Sequence, residues 1–232
     1  KIQFHPDTLV EFRDIAQRGQ CFLGSDGKLV GFRSRRDLDG STIPLIPGDL
    51  GQIAKNADIR ELFLEQSDVT DAMLSELPSL HKLDTLRLSG TPVTDNGLKV
   101  LSGFPNLKSL WLMDTNIHGP GLSNLSHVSR ITNLKIETRQ GDEVLQYLTP
   151  LKDLSSLSIS APLTDRGFEF LATLPKLESL GLVDMEYSRS GIAMLSASSS
   201  LKRLQFDGGS IGDGDIDCGA QQRRATGLIG PN

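Results

Sequence analysis

The apolar positions of this chain return at almost constant intervals. The motif apolar-x-x-apolar-x-apolar occurs at Ile59, Leu62 and Leu64, then at Leu83, Leu86 and Leu88, and at Leu107, Leu110 and Leu112. It continues at Ile131, Leu134 and Ile136; Leu154, Leu157 and Ile159; Leu177, Leu180 and Leu182; and Leu201, Leu204 and Phe206. Successive copies start 24, 24, 24, 23, 23 and 24 residues apart. The last three positions of each copy alternate, which predicts a short strand with one buried face. Apolar residues then recur in steps of three, as in Leu98, Leu101, Phe104, Leu107 and in Phe168, Leu171, Leu174, Leu177. That spacing predicts a helix with one buried side. Val69-Thr70-Asp71, Val93-Thr94-Asp95 and Leu163-Thr164-Asp165 open these segments, with Ile211-Gly212-Asp213 as a degraded copy. An aspartate here suits an N-cap, because its carboxylate accepts the free N–H groups of the first turn. Pro78, Pro105 and Pro175 fall at the helix exits, where a proline ends a helix.

One strand and one short helix in about 24 residues cannot bury its own apolar face, so neighbouring copies must stack. The expected fold is an α/β solenoid, with a curved parallel sheet on the concave side and short helices on the convex side. Thirty-seven leucines in 232 residues, against 5% aromatics, agree with a repeat. The run from Leu83 to Leu107 nearly spells L-x-x-L-x-L-x-x-T-x-V-T-D-x-G-L-x-x-L-x-x-L-P-x-L. It resembles the leucine-rich repeat. The Val-Thr-Asp-x-Gly-Leu segment resembles that family's cysteine-containing subtype, with Thr91 and Thr115 where the subtype has its cysteine. Threonine there, with Leu-Pro at the helix exit, is similar to repeats common in environmental bacteria. The resemblance covers residues 59–213 and implies a binding scaffold, a family whose partners are diverse. Two repeats depart from the pattern: residues 131–153 carry Arg139-Gln140-Gly141-Asp142, and residues 177–200 carry Tyr187-Ser188-Arg189 and Ala197-Ser198-Ser199-Ser200. Drift in tolerant convex loops is the expectation, a partner-facing surface the alternative.

Residues 5–18 predict a helix: Pro6 suits its first turn, Leu9, Phe12 and Ile15 its apolar side, and Gly19 its end. Cys21-Phe22-Leu23 and Lys28-Leu29-Val30-Gly31-Phe32 predict a hairpin around Gly24-Ser25-Asp26-Gly27. Because a repeat array needs a covered end, residues 1–35 are assigned as an N-terminal helix-hairpin cap of α+β type. Residues 36–58 read as a degraded repeat with Leu50 and Ile53 in its core, so the array spans 36–213. Residues 214–232 lose the pattern and are expected to form a loose tail. Lys1 is not a start methionine, so the native N-terminus is expected upstream, and a cytoplasmic location is favoured.

Composition narrows the function. Twenty-four basic against 29 acidic residues give a formal charge of −5, which argues against a nucleic-acid surface. No apolar run reaches the roughly 18 residues of a membrane span. Cys21 and Cys218 build neither a disulfide framework nor a zinc site, and His5, His81, His118 and His127 lack metal-ligand spacing. Phosphate-loop, dinucleotide, zinc-hydrolase and nucleophile-elbow motifs are absent. Asp213, Asp215 and Asp217 superficially suggest calcium, yet the glycine and glutamate of a calcium loop are replaced by Cys218 and Arg224. Arg33-Ser34-Arg35-Arg36 reads as a solvated loop. The expectation is a monomer with no catalytic residues, metal or cofactor.

If the paired leucines face inward, the residue between them faces out. The central outward column then begins Phe63, Arg87, Trp111, Lys135, and a neighbouring column contains Glu65, Met113 and Glu137. Trp, Phe, Met and Arg are enriched in interface cores. These seven residues are the candidate partner-binding set. The competing account is that Phe63 and Trp111 flank the Arg87 stem and stabilise the sheet. The expected function is a protein-protein interaction scaffold. Its alternatives are a substrate-recognition adaptor of a ubiquitin-ligase type complex, implied by the resemblance but lacking an F-box-like helical segment in residues 1–58, and a regulatory repeat region of a larger enzyme.

Overall fold

The computed structural model describes residues 13–25, 28–34, 43–55, 58–211 and 226–228. The chain divides into two compact units, Lys1–Val128 and Ser129–Asn232. The first contains helix α1 (Arg13–Arg18), strands β1 (Gly19–Leu23) and β2 (Leu29–Ser34), helix α2 (Asp49–Ala54), β3 (Glu61–Phe63), the single turn α3 (Asp71–Leu74), β4 (Thr85–Arg87) and β5 (Ser109–Leu112). β1 and β2 form an antiparallel hairpin, and β2, β3, β4 and β5 follow in parallel. The predicted helix over 5–18 is described from Arg13 onward, and its first eight positions lie outside the described residues. α1 stops at Arg18 because Gly19 turns into β1 beneath the Phe32 ring, which lies 2.1 Å from where a Cβ would sit.

Register explains the core of this unit. Phe32 lies opposite Leu62, Leu62 opposite Leu86, and Leu86 opposite Leu110, so one motif position forms a row across the sheet. Leu62, Leu64, Leu86, Leu88, Leu110 and Leu112 are all buried, as the alternation predicts. Leu29 and Ile59, three residues upstream of the row, are buried too. β2 thus supplies the strand of the first parallel step, and α2, with Leu50 and Ile53 buried, lies in the crossover to β3.

The second unit contains β6 (Asn133–Glu137), β7 (Ser156–Ser160), α4 (Asp165–Ala172), β8 (Ser179–Val183), β9 (Glu186–Tyr187), α5 (Arg189–Met194), β10 (Arg203–Asp207), β11 (Ser210–Ile211) and β12 (Thr226–Leu228). Its sheet runs β6-β7-β8-β10-β12, with β12 antiparallel to β10, while β9 and β11 pair in a separate small ribbon. β12 comes from the stretch read as a loose tail; the remainder of that stretch, with Asp213, Asp215 and Asp217, lies outside the described residues. Leu157, Ile159, Leu180 and Leu182 are buried, whereas Phe206 is only half-buried and leans on Tyr187, ring centroids 5.0 Å apart.

The return segments are tighter than an α-helix in three repeats. Gly97–Gly103, Pro120–His127 and Asp142–Leu148 are 3-10 helical. A step of three matches the three residues per turn of that helix, so the apolar positions fall on one line. Strand exits account for the uneven repeat length. Gln66, Gly90, Asp114, Asp184 and Gly208 occupy the same position of the 24-residue repeats and all have φ between 44° and 78°. The two 23-residue repeats pass directly from Glu137 to Thr138 and from Ser160 to Ala161, without this left-handed residue. One position later Ser67, Thr91 and Thr115 close the turn, their hydroxyls donating to the carbonyls of Leu64, Leu88 and Leu112 at 2.6, 2.6 and 2.9 Å.

The aspartates correct the capping expectation. Thr70, not Asp71, caps α3, accepting from the Met73 N–H. Asp71 instead reaches the next repeat, where the Thr94 N–H and hydroxyl donate to it. Asp95 likewise accepts from the N–H groups of His118, Gly119 and Gly121. In the second unit Asp142 accepts from the Thr164 N–H and hydroxyl, and Asp165 from the hydroxyls of Ser188 and Ser190. Of the repeats that depart in sequence, 131–153 keeps the carboxylate as Asp142, whereas 177–200 has Arg189 at that position and keeps only the receiving hydroxyl of Ser188, which also caps α5 by accepting from the Gly191 N–H. A carboxylate satisfies polar groups one repeat away, about 23 residues along the chain, which binds layers that local helix chemistry would leave separate.

Two outcomes follow. Leu110→Ala removes a fully buried side chain from the row and is expected to cost about 2–5 kcal/mol by urea denaturation, while a cost under about 0.5 kcal/mol would contradict the inward row. For Asp165, the Ser188 hydroxyl first, then those of Ser190 and the Gly191 N–H, hold the carboxyl below the ordinary carboxylate range. A depressed folded-state pKa gives stability that is present above the unfolded value of about 4 and lost as pH falls through the folded value. The stability gap between wild type and Asp165→Asn should accordingly be larger at neutral pH and shrink in acid; a gap independent of pH contradicts the assignment.

Candidate functional site

The same register that stacks the leucines builds the opposite face. Arg33 on β2 lies opposite Phe63 on β3, Phe63 opposite Arg87 on β4, and Arg87 opposite Trp111 on β5. Strands lie about 4.8 Å apart, which is ring-stacking distance, so the column alternates cation and aromatic in contact. The guanidinium carbon of Arg33 lies 4.8 Å from the centre of the Phe63 ring and 5.8 Å from that of Phe22 on β1. Phe22 meets Phe63 edge-on, centroids 6.1 Å apart at 82°. Arg87 is stacked between two rings, 4.5 Å from Phe63 and 3.7 Å from Trp111. Its Nη1 donates to Glu65 Oε1 at 3.3 Å, which fixes the orientation of the guanidinium. Its Nε is shut away from solvent without a hydrogen-bond partner, so the ring faces substitute for water there.

This arrangement changes the reading of several candidates. Phe63 is only 6% exposed, against the expectation of an outward ring open to solvent. It does leave the leucine core, but Arg33, Arg87 and the edge of Phe22 cover it. Trp111 is half-buried, with the Arg87 guanidinium against its ring. Glu65 is half-buried and committed to Arg87. Met113, half-buried, stands in the adjoining column, where its N–H donates to Ser89 Oγ at 3.2 Å. Lys135 and Glu137 belong to the second unit, on β6 opposite Ser158 and Ser160. The structure therefore assembles Phe63, Glu65, Arg87 and Trp111 as predicted neighbours, and supplies the cross-strand brace that the competing account described.

Sequence reasoning missed Arg33 and Phe22. Arg33 was placed in a solvated loop, yet it lies on β2 with its side chain exposed on the face. The signal was present: Leu29-Val30-Gly31-Phe32-Arg33-Ser34 has the repeat spacing, but it begins 30 residues before Ile59 instead of 24.

Other chemistry is spent on structure. Burial pushes the Cys21 thiol up, so it stays protonated at neutral pH and is a poor nucleophile. Asp142, Thr164, Asp165, Arg166, Tyr187 and Ser188 line an open depression in the second unit, but its two aspartates are already held by hydroxyl and N–H donors. Among the described residues, no group of three or more His, Cys, Asp and Glu side chains is arranged to hold a metal, and no helix is long and apolar enough to cross a membrane.

Parallel strands in constant register, short return helices and buried leucine rows define a leucine-rich repeat fold. No protein-family model matches the chain. No curated protein matches it either. Among solved structures, the chain is similar to an internalin from Listeria monocytogenes, with a TM-score of 0.59 and 20% identity over 90% of this chain and 57% of that one. The chain thus spans a little over half the length of that internalin, and likeness at this identity speaks to the fold alone.

Arg87→Ala removes the cation lying against the chain's only tryptophan. Tryptophan emission should shift to the red and become more easily quenched by acrylamide. Loss of two partly buried cation–ring contacts is expected to cost about 1–3 kcal/mol. Unchanged emission would mean that Arg87 does not cover Trp111.

Proposed function

We propose that this chain is a protein-interaction module and that the sheet face of its first unit receives a partner. The observation that carries the reading is Trp111, partly accessible on that face and held against a guanidinium that Glu65 orients. An anchored aromatic loses little conformational entropy on binding, which is why Trp and Arg recur at interface hot spots. Phe63 acts beneath the surface as a support for Arg33 and Arg87, while Met113 adds a polarisable neighbour to Trp111. Lys135 and Glu137 are the corresponding candidates of the second unit. The antiparallel hairpin β1–β2 serves as the N-terminal cap, since it covers the row at Leu62 with Phe32 and continues the outward column with Arg33. The threonines at 91 and 115 support a repeat type close to the cysteine-containing one, with a hydroxyl in place of a thiol.

A binding screen comparing wild type with the Trp111→Ala/Arg87→Glu double variant tests this, with circular dichroism to verify that the variant is folded. Partners of the face are expected to be lost from the variant by at least about tenfold in affinity, the scale of a single hot-spot residue. Equal recovery of every partner by both proteins removes the face from consideration.

A further inference from the structure

The two arginines of the column are in different states, and the difference points to a ligand chemistry. Arg87 is stacked on both sides and paired with Glu65. Arg33 is exposed, lies against Phe63 and Phe22, and makes no ion pair among the described residues. Glu61, one column away on β3 and opposite Gly31, does not neutralise it. With the Phe63 ring centre 4.8 Å from its guanidinium carbon and the residue exposed, Arg33 keeps an N–H edge open to solvent. That edge matches a carboxylate, which it binds through two parallel, charge-assisted N–H···O bonds.

Resting on the interaction reading above, we propose that Arg33 is the anion receptor of the face and that the partner presents an extended segment with a side-chain carboxylate for Arg33 and an apolar side chain for Trp111. The hairpin is then part of the recognition surface as well as an end cover. Arg33 and Trp111 lie three strands apart, roughly 14 Å at the usual strand spacing, a span that four or five extended residues bridge. The chain's formal charge of −5 gives no long-range attraction for an acidic segment, so selectivity arises on contact and association is not strongly accelerated at low salt.

The test is a displayed library of random dodecapeptides selected on the folded wild-type chain, with tryptophan emission as the readout for individual peptides. Asp- and Glu-enriched binders that perturb Trp111 emission are expected. Their affinity should fall about tenfold or more with Arg33→Glu, and equally when the peptide's acidic residue is changed to its amide, the scale of one charged hydrogen-bonded contact. Arg33→Lys should recover part of that loss, since it keeps the charge but not the planar fork. Should Arg33→Glu fail to fold, Arg33→Gln and the amide peptides make the same comparison. Binders that weaken with Trp111→Ala but ignore both Arg33→Glu and the amide change overturn carboxylate recognition and leave the interaction reading standing. Binders indifferent to every face variant, or no enrichment at all, overturn both.

Discussion

No repeat of this chain can bury its own leucines, and everything else follows from how that constraint is met. A strand of three to five residues with two inward side chains gains little alone. When Leu62, Leu86 and Leu110 stand directly opposite one another, each row shields the next, and parallel register becomes the condition for burial. Slipping one strand by a single residue would send Arg87 into the core and Leu86 and Leu88 to the surface. The leucine rows therefore fix the position of every outward side chain as well. The column of Arg33, Phe63, Arg87 and Trp111 is a by-product of the same alignment that buries the core.

At the loop edge, polar chemistry reinforces the stacking. Asp71, Asp95, Asp142 and Asp165 each accept hydrogen bonds from the beginning of the following return segment, at sites where backbone N–H groups lack a helical partner. At the opposite end of the strands Lys82 pairs with Asp58, Lys176 with Asp153 at 2.5 Å and Lys202 with Glu178 at 2.8 Å. These exposed ion pairs add little stability individually. The aspartate position holds Gly119 in the repeat at 107–130, so the last repeat of the first unit lacks this carboxylate.

The outward column places two demands on the same residues. Stacking Arg87 between Phe63 and Trp111 withdraws Nε from water, a cost that the two ring contacts and the Glu65 hydrogen bond offset. Arg33 at the head of the column lies near the Phe63 and Phe22 rings and has no carboxylate partner among the described residues. The column is thus braced at Arg87, between two rings and a carboxylate, and more open at Arg33, which is exposed.

The strands, their inward leucines and the identity of the outward residues were legible from the sequence because alternation is local: Leu110 and Leu112 face one way, so Trp111 faces the other. The hairpin at Cys21 to Phe32 was legible from the turn residues 24–27 between two apolar runs, also a local signal. What depended on partners roughly 23 to 30 residues away was decided by tertiary structure. Asp71 looked like a cap for its own helix and serves Thr94 instead, since the Thr70 hydroxyl already fills the cap. Phe63 was assigned correctly to the outer face but is covered by side chains from β1, β2 and β4, which no single-strand pattern contains. Arg33 looked like a loop cation because its strand begins 30 residues before Ile59 instead of 24, which hides its register with Phe63. Periodicity within a repeat specifies direction; only the packed neighbours specify what lies there to be met.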